Sequence, residues 1–563
     1  MNRIRAAVGT VATLAALCGC GGDSVDNTLP QLGAATGASL TSCTDLTTRA
    51  SFANTSFTAA SAVAAGTLTV AGVAVPAHCQ VTGKMFQRTS TVDGNSYAIG
   101  FEMRLPNAWN GRFFYQANGG TDGSVVTATG GVSGGPALTN ALALGFAVIS
   151  SDAGHSAAQN PTFGIDPQAR LDYGYQAVGK LTPMAKAVIQ TAYGKGPDRS
   201  YIGGCSNGGR HTLVATTRYA DQYDGFLAGD AGWRLPLAAT ANTASYQTYL
   251  GLATNPADAS TGFTTAERQL VSSAVAAKCD ALDGATDGLI QDTKACQAAF
   301  DLNRDVPTCT GARDGTCLSA AQKTSIAKLF SGATTSTGTK IYSSWPYDDG
   351  LGTGGWSFWK FTVPAILDSG AIGFIWQVPP ANPVTFSGPV FAATSNIDTL
   401  YANIQATNAT YTETSLSFMT PPHPSDLSAL KYRGAKVMIY HGTSDPIFSS
   451  DDSVAFLEGL RAANGGDASD FARLYLIPGM NHCSGGPATD QFDMLTPLVN
   501  WVEKGQVPDS VTANARGSGN AAAVNADVPT SWSPTRSRPL CSYPKVARYT
   551  SGSLETAASF TCQ

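Results

Sequence analysis

The stretch that decides the fold is Tyr201-Ile202-Gly203-Gly204-Cys205-Ser206-Asn207-Gly208-Gly209. It begins as an apolar run of strand length, and a helix-like stretch follows it. The central residues fit the pattern G-x-S-x-G, which in a strand–turn–helix context places a serine on a sharp, exposed turn. Glycines must flank such a serine because larger neighbours would collide with the strand and the helix. We therefore predict that Ser206 is a nucleophile.

Similar apolar runs, each ending in a polar or glycine-rich turn, recur on both sides of this stretch. They cover residues 112–118, 146–152, 200–204, 224–229, 435–440 and 474–477. Residues 176–191 instead carry apolar side chains at helical spacing. Continuous apolar strands that alternate with helices are typical of a parallel sheet buried on both faces, so the sequence predicts an α/β fold.

Two of the later runs are followed by residues that could complete a catalytic triad. Asp445 lies in the loop after the run 435–440, and His482 follows the run 474–477. The order Ser, Asp, His is the one that an α/β-hydrolase uses. In this prediction His482 takes the proton of Ser206, and Asp445 orients and stabilises the imidazolium. His441, which precedes the Asp445 loop, is predicted to line the site, whereas packing or solvated roles are predicted for the other histidines, namely His78, His155, His211 and His423.

Acyl transfer also requires hydrogen-bond donors for the oxyanion. The backbone N–H of Asn207 can supply one, and the glycine-rich loop 118–123 can supply another from Gly120 or Gly119. The alternative, a phosphate-binding loop, is disfavoured because the loop lacks the lysine of a P-loop and a complete G-x-G-x-x-G.

Cysteine usage indicates an oxidising compartment. Of twelve cysteines, Cys18 and Cys20 belong to an N-terminal signal, and the other ten can pair. Neighbouring cysteines suggest four local disulfides: Cys43 with Cys79, Cys279 with Cys296, Cys309 with Cys317, and Cys541 with Cys562. Cys205 and Cys483 remain, and each directly adjoins a proposed catalytic residue. A bond between them would hold nucleophile and base side by side.

The N-terminus reads as an export signal over residues 1–20, followed by a flexible tether over 21–42. Leu17-Cys18-Gly19-Cys20 resembles a lipobox, which would make Cys20 the site of a lipid anchor; ordinary signal cleavage is the alternative. We expect an exported protein: an outer-membrane lipoprotein, periplasmic or secreted. No later apolar run is long enough to span a bilayer, so any membrane contact would be through this anchor.

The remaining chain is predicted to form two units. Residues 43–231 and 431–563 carry the strand pattern and are assigned to a catalytic domain, whereas residues 232–430 lack a βαβ pattern and are assigned to an inserted lid domain. The net charge of −5, without basic clusters, excludes a nucleic-acid partner.

An acidic loop in the predicted lid could bind Ca²⁺. Calcium takes six to eight oxygen ligands in flexible geometry, which suits carboxylates spaced by glycine turns. The loop is not an EF-hand, and an acidic surface loop is the alternative. The predicted structural site comprises three carboxylates and two backbone carbonyls, from Asp280, Asp283, Asp287, Ala285 and Leu289.

The dipeptides Cys205-Ser206 and His482-Cys483, together with Asp445, resemble the CS-D-HC pattern of the tannase and feruloyl esterase family. The resemblance covers nearly the whole mature chain. It implies an α/β-hydrolase with an inserted lid, the triad and oxyanion donors named above, five disulfides in the pairing given, and a lid calcium site. It also places Phe448 where an aromatic residue walls the substrate site.

The resemblance implies a secreted serine carboxylesterase that acts on small aromatic acid esters of the feruloyl or galloyl type. Trp356 and Trp359 could pack an aromatic acyl group, and Lys360 could meet a free carboxylate, although all three could equally belong to the lid core. Hydrolysis of a terephthalate monoester is an alternative activity. An alternative from another class is a lipoprotein that binds aromatic compounds without catalysis.

Overall fold

A nine-stranded sheet forms the centre of the molecule, as seen in a computed structural model that describes residues 29–132 and 136–563. The strands, numbered along the chain, are β1 (Thr55–Val63), β2 (His78–Thr89), β3 (Ser96–Pro106), β4 (Arg112–Gln116), β5 (Ala147–Ser151), β6 (Arg199–Cys205), β7 (Gly225–Gly229), β8 (Lys436–Gly442) and β9 (Ala472–Ile477).

The strand order is β9-β8-β7-β6-β4-β5-β3-β2-β1. The six strands from β9 to β5 are parallel, and β3, β2 and β1 continue the sheet in antiparallel pairs. All six predicted runs are parallel strands, which confirms the predicted α/β fold. The three antiparallel strands were not foreseen.

Both faces of the sheet are buried because alternate residues of each strand enter different hydrophobic cores. On β6, Ile202 packs into one core and Tyr201 into the other. On β8, Ile439 and Tyr440 divide in the same way. This explains why the parallel strands are apolar throughout rather than alternating.

In the part of the chain that the structure describes, seven helices of ten or more residues pack on this sheet and its insertion. They are α1 (Ala177–Tyr193), α2 (Asn207–Arg218), α3 (Leu235–Leu252), α4 (Thr265–Cys279), α5 (Ala320–Phe330), α6 (Ser450–Ala463) and α7 (Leu495–Lys504). Shorter α-helices cover Leu46–Arg49, Pro167–Leu171, Thr293–Ala299, Leu302–Asp305, Gly354–Ser357, Gly388–Thr394, Ile397–Asn403, Ser415–Met419 and Ser428–Lys431.

The chain between β7 and β8 is helical, although these two strands are hydrogen-bonded neighbours. Three consecutive π-helical turns, rare in proteins, lie within it at Phe358–Thr362, Pro364–Asp368 and Ala371–Trp376. We call residues 232–430 the inserted segment; its assignment as a lid, and the domain boundaries, remain predictions.

The first described residues lie against the sheet domain. The Gln31 side chain donates to the Val502 carbonyl at 2.7 Å, and Ala38–Ser39 pairs antiparallel with Ala108–Trp109. These contacts correct the predicted flexible tether for residues 29–42. The predicted signal peptide and Cys20 lie outside the described residues. Among the residues that are described, no helix is long and apolar enough to cross a membrane.

The C-terminal region adds small sheets beside β9. One has three antiparallel strands, Gln491–Phe492, Ser510–Asn514 and Ser537–Cys541. Another pairs Ala547–Tyr549 with Phe560–Cys562, and the disulfide Cys541–Cys562 connects the two.

Replacement of Gly208 by alanine should destabilise the protein. A Cβ atom at Gly208 would lie 2.3 Å from the Ala117 carbonyl oxygen, and such overpacking costs about 1–3 kcal/mol. Gly251 on α3 is a matched helical control because a Cβ there meets nothing within 4 Å, and alanine should stabilise that helix by up to about 1 kcal/mol. Thermal unfolding would check this: equal midpoints for the two variants would contradict it.

Candidate active site

Ser206 occupies a sharp turn between β6 and α2, with φ 64° and ψ −125°. Such a backbone is strained for a residue other than glycine. The turn is tight because α2 approaches the end of β4: a Cβ at Gly204 would lie 2.2 Å from the Ala117 carbonyl oxygen, and one at Gly208 would lie 2.3 Å from the same atom. Glycine at both positions is therefore required, as the sequence pattern indicated.

The structure brings the three predicted triad residues together. His482 Nε2 lies 2.8 Å from Ser206 Oγ, and His482 Nδ1 lies 2.7 Å from Asp445 Oδ2. The three residues follow β6, β8 and β9, and parallel strands place their carboxyl ends at one edge of the sheet. The imidazole is thus oriented to accept the serine proton through Nε2.

Asp445 is buried and fully engaged. Its Oδ1 accepts hydrogen bonds from the backbone N–H groups of Ile447 at 2.9 Å and Phe448 at 3.0 Å, while Oδ2 faces His482. Burial opposes ionisation, but the charge of His482 and hydrogen bonds from His441 and His482 outweigh it, so the pKa of Asp445 lies well below its ordinary value. Asp445 is therefore a carboxylate that can stabilise an imidazolium.

Two backbone amides are available for an oxyanion beside Ser206. A Cβ built on Gly119 would lie 3.8 Å from the Ser206 Cβ, so the loop after β4 adjoins the nucleophile. Within the described residues, neither the N–H of Gly120 nor that of Asn207 donates to a protein acceptor. Both N–H groups are therefore available, and their role as oxyanion donors stays a prediction.

A buried network joins Asn207 to Asp122, which lies in the same loop as Gly120. Asp122 Oδ2 accepts from the Asn207 side-chain amide at 2.8 Å and lies 2.9 Å from His211 Nε2. Arg210 donates to the Asn207 side-chain oxygen at 2.6 Å. The sequence assigned His211 to packing and did not single out Asp122. Asp122 could have been found from its position in the loop 118–123, but the prediction for that loop used only its glycines.

All five predicted disulfides are present: Cys43–Cys79, Cys205–Cys483, Cys279–Cys296, Cys309–Cys317 and Cys541–Cys562. Cys205–Cys483 joins residues 278 apart in sequence at a Cα separation of 6.1 Å. It therefore links the residue before Ser206 directly to the residue after His482.

Ser206 and His482 open onto a cleft with a volume of about 530 Å³. Trp359 of the inserted segment lines the cleft, with its ring centroid 4.6 Å from that of His482 in an edge-to-face arrangement. The ring of Phe448 also packs edge-to-face on that of His482, with 5.3 Å between the ring centroids. Phe448 is buried and is not among the residues that line the cleft. Trp359 is thus placed to contact a substrate, and Phe448 supports the base.

The structure does not place Trp356 and Lys360 on this cleft. Both line a separate cavity of about 20 Å³, whose lining also includes Asp445. Lys360 is buried with its ammonium 4.5 Å from the centre of the Trp345 ring, and burial lowers its pKa to about 8. This geometry therefore does not support the predicted contact of Lys360 with a substrate carboxylate. It agrees with the alternative that Lys360 belongs to the core of the inserted segment.

The acidic loop predicted to bind Ca²⁺ packs against the C-terminal sheets. Arg538 pairs with the Asp287 carboxylate, and Arg548 donates to the Leu282 carbonyl at 2.8 Å. Asp283 is buried, and its Oδ2 has no hydrogen-bond partner in the described part of the chain. Burial and the charges of neighbouring aspartates raise the pKa of Asp283 to about 7. An unpartnered buried carboxylate oxygen fits a cation ligand.

This mixed sheet, with Ser206 at a strand–turn–helix junction and Asp445 and His482 after later strands, defines a fold of the α/β-hydrolase type. The family described as tannase and feruloyl esterase matches residues 79–563. The chain belongs to that family of carboxylic ester hydrolases, as the sequence resemblance predicted.

Individual relatives support the assignment. The mono(2-hydroxyethyl) terephthalate hydrolase of Piscinibacter sakaiensis is 39% identical over 535 residues, covering 88% of this chain and 86% of that protein. Feruloyl esterase B of Aspergillus niger is 26% identical, covering 73% and 76% of the two chains. The crystal structure of feruloyl esterase B from Aspergillus oryzae superposes with a TM-score of 0.73 at 24% identity, covering 92% of this chain and 99% of that one. That likeness confirms the predicted fold.

Removal of the Cys205–Cys483 disulfide should reduce activity more than folding. In a Cys205→Ala/Cys483→Ala variant the two catalytic loops lose their covalent link, and a small displacement between nucleophile and base costs up to about 100-fold in rate. We expect kcat/KM on a chromogenic ester to fall at least about 10-fold, with a native circular dichroism spectrum.

Cys309→Ala/Cys317→Ala is the matched control, because it removes a disulfide that spans only 8 residues of the inserted segment. The two double variants should differ clearly in kcat/KM. Equal activity in both would show that the sheet alone aligns the site.

Proposed function

We propose that the chain hydrolyses esters of aromatic carboxylic acids through an acyl-enzyme on Ser206. The hydrogen-bonded series Ser206–His482–Asp445, open to a 530 Å³ cleft, is the observation that carries this proposal. As Ser206 Oγ attacks the ester carbonyl, His482 takes its proton and then gives it to the departing alkoxide. The N–H groups of Gly120 and Asn207 stabilise the oxyanion. Water, activated by His482, then releases the acid.

The cleft favours an acyl group of the feruloyl or galloyl type. Trp359 offers an aromatic face beside His482. Among the described residues that line the cleft there is no lysine or arginine, so a free substrate carboxylate would lack a cationic partner. Hydrolysis of mono(2-hydroxyethyl) terephthalate, which carries such a carboxylate, is the second candidate, and the 39% identity to the enzyme of that name favours it.

Ser206→Ala should abolish ester hydrolysis, with a loss of at least about 1,000-fold in kcat, because no other group forms the acyl-enzyme. Circular dichroism should stay native. Hydrolysis at an undiminished rate by a folded Ser206→Ala protein would refute the mechanism, and the absence of labelling of wild-type Ser206 by a fluorophosphonate would favour a non-catalytic binding protein.

Substrate choice is settled by kcat/KM for methyl ferulate, methyl gallate and mono(2-hydroxyethyl) terephthalate. We expect one of the first two to be preferred, since neither needs a cation in the cleft. A clear preference for the terephthalate monoester would support the second candidate instead.

We infer that the protein functions outside the cytoplasm. The five disulfides support this location, because such bonds persist in oxidising compartments. Lipid attachment at Cys20 remains a prediction from the sequence.

We also propose a structural Ca²⁺ held by the carboxylates of Asp280, Asp283 and Asp287 and the carbonyls of Ala285 and Leu289. The unpartnered Oδ2 of buried Asp283 supports it. A bound cation would offset the clustered negative charge and fasten the inserted segment where it meets the C-terminal sheets.

Removal of the proposed Ca²⁺ should lower the thermal unfolding midpoint. A ligand at 100 times its Kd stabilises the folded state by about 2.7 kcal/mol, and EDTA would remove that contribution. Ca²⁺ should restore the midpoint, and the Asp283→Asn protein should not respond. Glu458→Gln, which removes an acid on α6 outside the loop, is the control. An unchanged wild-type midpoint on chelation and re-addition of Ca²⁺ would refute the site.

A further inference from the structure

Two buried ionisable residues lie behind the triad and have no role in the mechanism above. Asp230 directly follows β7, and His441 lies on β8 four residues before Asp445. The side chains of both are fully buried. Buried charges are costly unless they are paired, so their position beside the triad acid requires a physical reason.

His441 lies between the two aspartates. Its Nε2 is 3.4 Å from Asp445 Oδ2 and 3.9 Å from Asp230 Oδ1. The same nitrogen lies 3.0 Å from the Phe448 carbonyl oxygen. A carbonyl only accepts hydrogen bonds, so Nε2 carries a hydrogen that faces both the carbonyl and the carboxylate of Asp445. Asp445 Oδ2 is therefore shared between two histidines, His482 and His441.

The arrangement does not suit a metal ion. Asp230, His441 and Asp445 can each offer one atom within 4.8 Å of the others, but a nitrogen that bears a hydrogen cannot be a ligand. The other ring nitrogen of His441 lies 2.7 Å from Ser453 Oγ on α6. Asp230 Oδ1 already accepts from the Gly442 N–H at 2.9 Å. The cluster is thus a hydrogen-bonded charge network.

We propose that His441 and Asp230 extend the triad into a series of alternating charges, Ser206–His482–Asp445–His441–Asp230, in which His441 is a cationic positioning residue for Asp445. His441 holds the shared carboxylate in line with His482 and competes with the His482 imidazolium for it. Asp230 balances the charge of His441. The proposal rests on the proposed triad, and it concerns how strongly that triad stabilises a proton on His482.

The electrostatic surroundings of His441 support this role. Burial opposes its protonation, but the hydrogen bond with Asp445 and the charges of Asp230 and Asp445 raise its pKa to about 9. Burial raises the pKa of Asp230 to about 7. Beyond these groups, Asp451 on α6 interacts with His441, and Lys360 of the inserted segment interacts with Asp445. Close to neutral pH, His441 is therefore the cation of the network.

His441→Gln tests the proposal through the pH dependence of kcat/KM. Glutamine keeps a donor but carries no charge, so His482 no longer shares Asp445 with a cation and is protonated more readily. The acid limb of the profile should move to higher pH, by roughly 0.5 to 1 unit, and kcat should fall about 10-fold with little change in KM.

The double variant Asp230→Asn/His441→Gln is a control for loss of stability in the single variant His441→Gln. The single variant leaves two buried carboxylates without their cation, whereas the double variant removes one of them and keeps an acceptor for the Gly442 N–H. It should recover thermal stability but retain the shift of the acid limb, because the shift depends on His441 alone. A merely structural role predicts that activity and profile recover together with stability.

His78→Gln is the matched control, since His78 is a buried histidine on β2, separated from β8 by five strands. Its acid limb should stay at the wild-type pH. An unshifted acid limb in both folded His441 variants, or ¹⁵N shifts showing neutral His441 at pH 7, would overturn the proposal. If either of these results is obtained and Ser206→Ala is inactive, the proposed triad is still supported, and only the proposed role of His441 and Asp230 is refuted.

Discussion

The backbone contact between helix α2 and Ala117 is the constraint on which the site depends. Gly204 and Gly208 both face the Ala117 carbonyl, which lies too close to either backbone for any side chain. Ala117 directly follows the parallel strand β4 and begins the loop that contains Gly119 and Gly120. This contact thus fixes Ser206 relative to Gly120, a proposed oxyanion donor, because Ser206 lies between the two glycines and Gly120 lies three residues after Ala117.

Several residues with a strained backbone lie at this edge of the sheet. Of the nine described residues other than glycine that have left-handed φ values, four are found here: Ser206 (φ 64°), Cys483 (φ 61°), Asp122 (φ 55°) and Asp230 (φ 37°). Each such residue costs about 1–3 kcal/mol and persists only where its surroundings enforce it. The disulfide between Cys205 and Cys483, and the hydrogen bonds of Asp122 and Asp230, enforce it here. Local strain is therefore held by contacts distant in sequence.

The parallel strands and the residues that follow them could be predicted from the sequence because their signals are local: an apolar run, then a conspicuous turn. Strands β1–β3 were not predicted because polar and charged residues interrupt their apolar ones, as Lys84 does in β2 and Glu102 does in β3. Asp230 also directly follows a predicted strand, but aspartate is common in turns, so its position alone did not indicate a functional role. Only the fold shows that it faces His441. For Trp356, Trp359 and Lys360 the sequence left substrate contact and lid core as open alternatives. Consecutive residues of a helical turn point in different directions, and this stretch includes a π-helical turn between Phe358 and Thr362, so Trp359 reaches the cleft whereas its neighbour Lys360 does not.

The position of the inserted segment couples substrate contacts to catalysis. The chain leaves β7 at the edge of the sheet that carries the triad, next to Asp230, and re-enters the sheet at the opposite edge, where β8 begins and leads back to Asp445. Residues of the inserted segment contact the proposed catalytic groups: Trp359 packs on the His482 ring, and Lys360 lines a small cavity together with Asp445. Trp359 lines the cleft and also packs on the His482 ring. A substitution of Trp359 that alters the substrate surface would therefore also alter the packing around the proposed base, so at this position substrate contact and proton transfer are coupled.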